Sequence, residues 1–223
     1  MGGERESVLA AVFDYGGVIT TQGRRTIDAW LAADGIRPES FSRVIKAWLS
    51  RKAPEGTPIH RLETGELPAS AFEKLFAAEL RTLDGSPVPS EGLLERFFAA
   101  GGISQPMVDL VRGLRASGII TALLSNSWGN RYPAELLTEL FDTVVISGQV
   151  GLRKPDPRIY RLTLERIGVP AGRAVFVDDG EPNIEAAVQL GMHAVLHDDP
   201  ATTMARIAEL VPQLEIDLTR RSL

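Results

Sequence analysis

"AVFDYGGVIT", residues 11–20, begins as an apolar run suited to a buried strand and stops at Asp14, with Gly16 and Gly17 close behind. Burying a carboxylate at the end of a core strand costs free energy unless something pairs with it. The same pattern recurs twice. "IITALLSN" (119–126) closes on Ser125 and Asn126, and "AVFVDD" (174–179) closes on Asp178 and Asp179. Two further short runs, "TVVIS" (143–147) and "HAVLH" (193–197), complete a set of five. None alternates polar and apolar residues, which suits parallel strands covered on both faces. Helical patterns lie between the later runs. "PMVDLVRGLRASG" sets Met107, Leu110, Val111 and Leu114 on one face, "DPRIYRLTLERIG" opens with Pro157 and ends at Gly168, and "EPNIEAAVQLG" ends at Gly191. Alternating strands and helices predict an α/β fold: an open, doubly wound, mostly parallel sheet with right-handed crossovers.

Residues 20–102 break this rhythm, because no strand is evident there. "SFSRVIKAWLS" spaces Phe41, Val44, Ile45, Trp48 and Leu49 as one apolar helix face. "SAFEKLFAAEL" presents Ser70 and Glu73 as a capping box ahead of Phe72, Leu75, Phe76 and Leu80. An inserted all-helical domain is therefore expected over 20–102, with residues 1–19 and 103–223 forming the α/β core and "AAGGISQP" (99–106) the return hinge. Trp30 and Trp48 are expected in the core of that insert.

Composition narrows the function. With 44% hydrophobic residues in 223, the chain can bury a full core. A formal net charge of −5 with no basic block disfavours nucleic acid or an anionic membrane as partner. No stretch approaches the roughly 20 apolar residues of a membrane span, and the first residues lack the pattern of a secretory signal, so a cytoplasmic location is expected. The absence of Cys excludes thiol nucleophiles and Cys-bound zinc, and His60, His193 and His197 are too scattered for a zinc site.

In a parallel sheet, the polar strand ends all lie on the carboxyl edge, where such folds bind ligands. Asp14, Asp178 and Asp179 brought together there would repel one another in a partly dry cleft. Mg²⁺ resolves that repulsion, since it takes oxygen ligands from one or two carboxylates, water and a substrate phosphate. Lys154, in "GLRKPDP" (151–157), would add a cation able to hold a phosphoryl oxygen. Gly16 and Gly17 allow a sharp turn that brings backbone N–H groups close to a phosphate.

"FDYGGVIT", "LLSNS", "GLRKPDPRIY" and "FVDDGEPNIEAA" resemble, in order and spacing, the four motifs of the haloacid dehalogenase superfamily, and the insert after the first motif resembles its small helical cap. The resemblance implies that Asp14 is the nucleophile that becomes an aspartyl-phosphate. It implies that Ser125 hydrogen-bonds the phosphoryl group with a further contact from Asn126, and that Lys154 is the motif-three lysine, which holds a phosphoryl oxygen and steadies the nucleophile. Asp14, Asp179 and the Gly16 carbonyl would hold Mg²⁺, with Asp178 as an auxiliary ligand. The implied partner is a small phosphorylated metabolite.

One position departs from that pattern. Phosphatases of the superfamily mostly carry a second Asp two residues after the nucleophile, as general acid and base, and this chain has Gly16 there. The missing group is worth about 10²–10⁴ in rate. Three readings follow. A phosphatase could act on leaving groups needing little protonation or borrow an acid from the insert, where His60 and Glu63 in the expected loop "PIHRLETGELP" (58–68) are candidates. A metal-independent 2-haloacid dehalogenase needs no such acid, but the Asp178–Asp179 pair argues for phosphate chemistry. A binding or regulatory module for phosphorylated ligands needs no turnover, but retention of Asp14, Ser125, Lys154 and Asp179 argues for an enzyme. Thr20, Thr21, Arg24 and Arg25 are expected to face the cleft, and Arg153 to be solvated.

Overall fold

The computed structural model describes residues 7–129 and 132–212. The end of the expected core segment, from 213 onward, lies outside the described residues. Five strands, β1 (Ala10–Phe13), β2 (Ile120–Ser125), β3 (Thr143–Ile146), β4 (Ala174–Asp178) and β5 (His193–Leu196), form one sheet in the order β3-β2-β1-β4-β5. Every pairing is parallel; Val12 stands opposite Ala122 on one side and Phe176 on the other. The five apolar runs are the five strands, and β1 lies at the centre.

Both faces of the sheet are covered, which explains the unbroken apolar runs. Ala11, Phe13, Leu123 and Val175 pack on one side with Met107, Leu110, Val111 and Leu114 of α6 (Gln105–Ala116), Leu137 and Leu140 of α7 (Ala134–Leu140), and Ile207 of α11 (Pro200–Leu210). Ala10, Val12, Ala122 and Phe176 pack on the other with Ile159 and Tyr160 of α9 (Pro157–Ile167) and Ala187 of α10 (Glu181–Gln189). A short helix, α8 (Ser147–Val150), follows β3.

Between β1 and α6 the chain builds five helices: α1 (Gly23–Ala33), α2 (Pro38–Leu49), α3 (Pro58–Glu63), α4 (Ala69–Glu79) and α5 (Leu93–Ala99). They enclose their own apolar cluster, centred on Trp30, Phe41, Phe72, Phe76 and Leu93, with Trp48 packed against it. Trp30 stands edge-on to Phe41 and Phe97 with ring centroids 5.8 and 5.4 Å apart, favourable aromatic geometry. The two passages between helices and sheet run side by side: Thr21 N–H donates to Gly102 O and Ser104 N–H to Ile19 O, both at 2.8 Å.

Local details differ from the sequence reading. The apolar stripe of α2 is narrower than its spacing implies, since Leu49 is exposed, as is Leu75 on α4. The capping box does not form. Pro68 occupies the N-cap of α4, so Ser70 lies inside the helix, and Glu73 accepts instead from Leu94 N–H at 2.9 Å. Residues 58–63 are not a loop: Pro58 takes the first helical position of α3, and Thr57 Oγ1 accepts from His60 N–H.

Candidate active site

Asp14 leaves β1 at its carboxyl end and is almost enclosed. Its Oδ1 accepts from Tyr15 N–H at 2.7 Å and pairs with Lys154 Nζ at 2.8 Å, which leaves Oδ2 as the oxygen available to a substrate. Lys154 enters from the segment between α8 and α9, fully buried, and its Nζ also reaches Asp178 Oδ2 at 2.6 Å. Asp178 spends its other oxygen on Gly180 N–H at 2.8 Å and Asn183 Nδ2 at 2.9 Å. Both of its oxygens are thus committed, and it anchors the lysine. Asp14, Asp178 and Asp179 have carboxylate oxygens within 4.8 Å of one another.

The charges do not balance. Burial pushes the Asp14 carboxyl up to about 8; Lys154 pulls against that rise, while Asp178 and Asp179 add to it. Burial alone would drive Lys154 down, but Asp14 and Asp178 outweigh it and keep the ammonium charged. Burial, then Asp178, pushes Asp179 up to about 6, although Asp179 stands at the open mouth, where water screens part of the effect. Among the described residues, one ammonium thus serves three acids. An all-oxygen set with surplus negative charge has the donor chemistry of a hard divalent cation.

The glycines after Asp14 carry different burdens. Gly17 has φ +78°, and a Cβ there would lie 2.2 Å from Asp179 Oδ2, so a side chain is excluded by both conformation and space. Its N–H donates to Thr20 Oγ1 at 2.9 Å. Gly16 has φ −69°, open to any residue, and a Cβ there meets nothing within 4 Å. The missing acid at this position therefore has no steric cause.

The structure brings Asp14, Gly16, Gly17, Ser125, Asn126, Lys154, Asp178 and Asp179 to one sheet edge; of these, Gly16, Gly17 and Asp179 line the open cavity, while Asp14, Ser125, Lys154 and Asp178 are buried behind them. Ser125 Oγ, buried at the end of β2, shares a 2.9 Å hydrogen bond with Tyr132 OH. Asn126, expected on the phosphoryl group, braces the lysine's backbone: its Oδ1 accepts from Lys154 N–H at 2.8 Å and its Nδ2 donates to Lys154 O at 3.0 Å.

Glu63 and Arg153 also correct the sequence reading. Glu63 is buried where α3 meets the sheet domain; its Oε2 accepts from Arg153 Nε at 2.5 Å and its Oε1 from Trp128 Nε1 at 2.9 Å. Arg153 is paired here rather than solvated. Ser147 Oγ donates to Glu63 O at 2.6 Å, and Gly65, at φ +79°, lets the backbones meet where a Cβ would lie 2.6 Å from Gly148 O. Glu63 is thus committed to a seam, and no free carboxyl from it faces Asp14. His60, its pKa lowered by burial and then by Arg153, does not line the cleft.

Between helices and sheet lies a cavity of about 690 Å³. Gly16, Gly17, Thr20, Thr21 and Asp179 line its floor, and Ser70, Glu73, Phe97 and Phe98 its far side. Arg24 and Arg25 are exposed elsewhere. Tyr132, Ser70 and the α5 aromatics are the residues that motif reasoning missed. No local pattern marks them.

The haloacid dehalogenase-like hydrolase profile matches residues 8–191. Phosphatase MT3486 of Mycobacterium tuberculosis is 30% identical over 203 residues, covering 88% of this chain and 90% of that protein. Bifunctional epoxide hydrolase 2 of Sus scrofa is 28% identical over 226 residues and 92% of this chain, which spans only 39% of that protein's length. Against Acyl-CoA dehydrogenase family member 10 of Mus musculus, 27% identical over 210 residues and 92% of this chain, the share is 19%. Among solved structures, a haloacid dehalogenase-family enzyme of Bacteroides thetaiotaomicron superimposes with a TM-score of 0.65 at 19% identity, over 89% of this chain and 98% of that one.

Proposed function

The chain belongs to the haloacid dehalogenase-like hydrolases, and from that membership and the geometry of its strand edge we propose that it is a Mg²⁺-dependent phosphatase of small phosphomonoesters, acting through an aspartyl-phosphate on Asp14. The carrying observation is the ion-pair chain Asp14–Lys154–Asp178 with the Asp179 carboxylate within 4.8 Å of the other two. Asp14, Asp179 and the Gly16 carbonyl would hold the metal; when bound, it offsets the surplus acidity and neutralises phosphoryl oxygens.

Lys154, fixed by Asp178 and by the Asn126 brace, keeps one Asp14 oxygen in place and presents positive charge to the phosphoryl group. Asp14 Oδ2 attacks phosphorus, the bond from phosphorus to the ester oxygen breaks, and the departing alkoxide takes its proton from water, since no acid stands at Gly16. Water then attacks the phosphorus of the acyl phosphate, releasing inorganic phosphate and regenerating Asp14.

A phosphoester panel assayed with Mg²⁺, with a chelator, and with Asp14→Asn tests this reading. The expected outcome is turnover that disappears with metal removal and falls on the order of 10⁴-fold or more in the variant. Metal-free hydrolysis of 2-haloacids, or tight ester binding without turnover, overturns it.

A further inference from the structure

The cavity beside Asp179 is far larger than a phosphoryl group needs, and its walls are chemically divided. Near the strand edge it offers the backbone of Gly16 and Gly17 and the Thr20 hydroxyl. Across from that edge it is walled by Leu94, Phe97 and Phe98 of α5, and Ile103, bridged to Thr20, adds apolar surface at the hinge between the two. Phe97 and Phe98 are only half-buried, and Ile103 is 41% exposed, so apolar surface is left uncovered inside the cleft. Among the described residues, no Lys, Arg or His lines the cavity, whereas Glu73 and Glu95 do. A ligand with a second phosphate would set another anion against those acids with no cation among the described residues to receive it. A polyhydroxylated body would lose water against the α5 aromatics, while the Thr20, Thr21 and Thr26 hydroxyls that line the cavity already bond Gly17 N–H, Gly102 N–H or one another. An apolar body gains from the same surface.

We propose that the site takes the phosphate monoester of an apolar alcohol, with the phosphoryl group at Asp14 and Asp179 and the hydrocarbon body along Leu94, Phe98 and Ile103. The proposal rests on the phosphatase reading for its phosphoryl end only. The cavity volume lies within the range of about 300–1,000 Å³ usual for small-molecule pockets, so the chain-length preference ends where the cavity is full.

Calorimetric binding of ethyl-, butyl-, hexyl- and octylphosphonate in the presence of Mg²⁺ tests it without requiring turnover. Affinity is expected to rise about fourfold for each added methylene until the cavity is filled. Ile103→Glu, at an exposed position that does not challenge folding, should flatten that dependence; its melting curve shows whether the fold is kept. Equal affinity along the series, or tighter binding of a sugar phosphate than of octylphosphonate, overturns the proposal. If p-nitrophenyl phosphate is hydrolysed while the series is flat, the phosphatase reading stands alone. If no ester turns over but phosphonate affinity still rises with length, the ligand class stands and the catalytic reading falls.

Discussion

The strand edge, which reaches the cleft through Gly16, Gly17 and Asp179, and the helical wall across from it are built under opposite rules. At the edge nearly every polar group is tied: Lys154 between two carboxylates, Asp178 to three donors, Asn126 to the lysine's peptide. The wall across from it, around Phe97 and Phe98, leaves apolar surface uncovered. A buried charge network tolerates little change, because any lost partner strands another charge, whereas an apolar wall can be resized at the cost of packing alone. The contrast teaches where this fold is rigid in chemistry and where it is free to choose a substrate.

Lys154→Met should break the contrast most severely. It leaves Asp14 and Asp178 uncompensated in a buried site, costing about 3–5 kcal/mol, with a fall in melting temperature of roughly 10 °C at this chain length. Turnover should drop by about 10²–10³ as well. Melting and steady-state assays check both; a variant of unchanged stability would mean the edge is not the tight network described.

Gly16→Asp sharpens the comparison by adding an acid where space is open. Because φ is −69° and no atom lies within 4 Å of a Cβ, the fold should be unaffected. Hydrolysis of simple alkyl phosphates should rise about 10–10²-fold relative to p-nitrophenyl phosphate, whose leaving group needs no proton. A uniform change for both substrates would show that protonation is not what Gly16 omits.

Glu63→Gln is expected to act less strongly. The amide oxygen can still accept from Trp128 but loses the charge facing Arg153, a partner 21% exposed. The cost should be about 1–2 kcal/mol, read by denaturant midpoint. Arg43→Gln gives the lower bound: Arg43 and Glu79 are each more than half exposed, and losing their pair should cost under about 0.5 kcal/mol.

How much the sequence disclosed follows the same division. Continuous apolar runs ending in Asp14, Ser125 and Asp178 announce a parallel sheet and its polar edge, because both signals are local. Lys154 is legible by its place in "GLRKPDP" and the resemblance that this motif carries. The insert's helicity is legible from the spacing of Phe41, Val44 and Trp48. Partners were not. Glu73 has the look of a capping-box acid, yet it meets Leu94 N–H across the insert; Glu63 has the look of a loop acid, yet it is buried against Arg153. Pro58, Gly65 and Pro68 punctuate that stretch like a loop, while Thr57 and Pro58 in fact start α3. Such pairings depend on how helices dock, which no neighbouring residue encodes.

Hydrolysis by the proposed route requires Asp14 to carry the phosphoryl group. Acid-quenched protein taken during turnover of p-nitrophenyl phosphate with Mg²⁺, digested and read by mass spectrometry, tests that directly. One phosphoryl group on the peptide containing Asp14, absent in Asp14→Asn and absent after chelation, is the predicted result. Sustained turnover with that peptide never modified would contradict it.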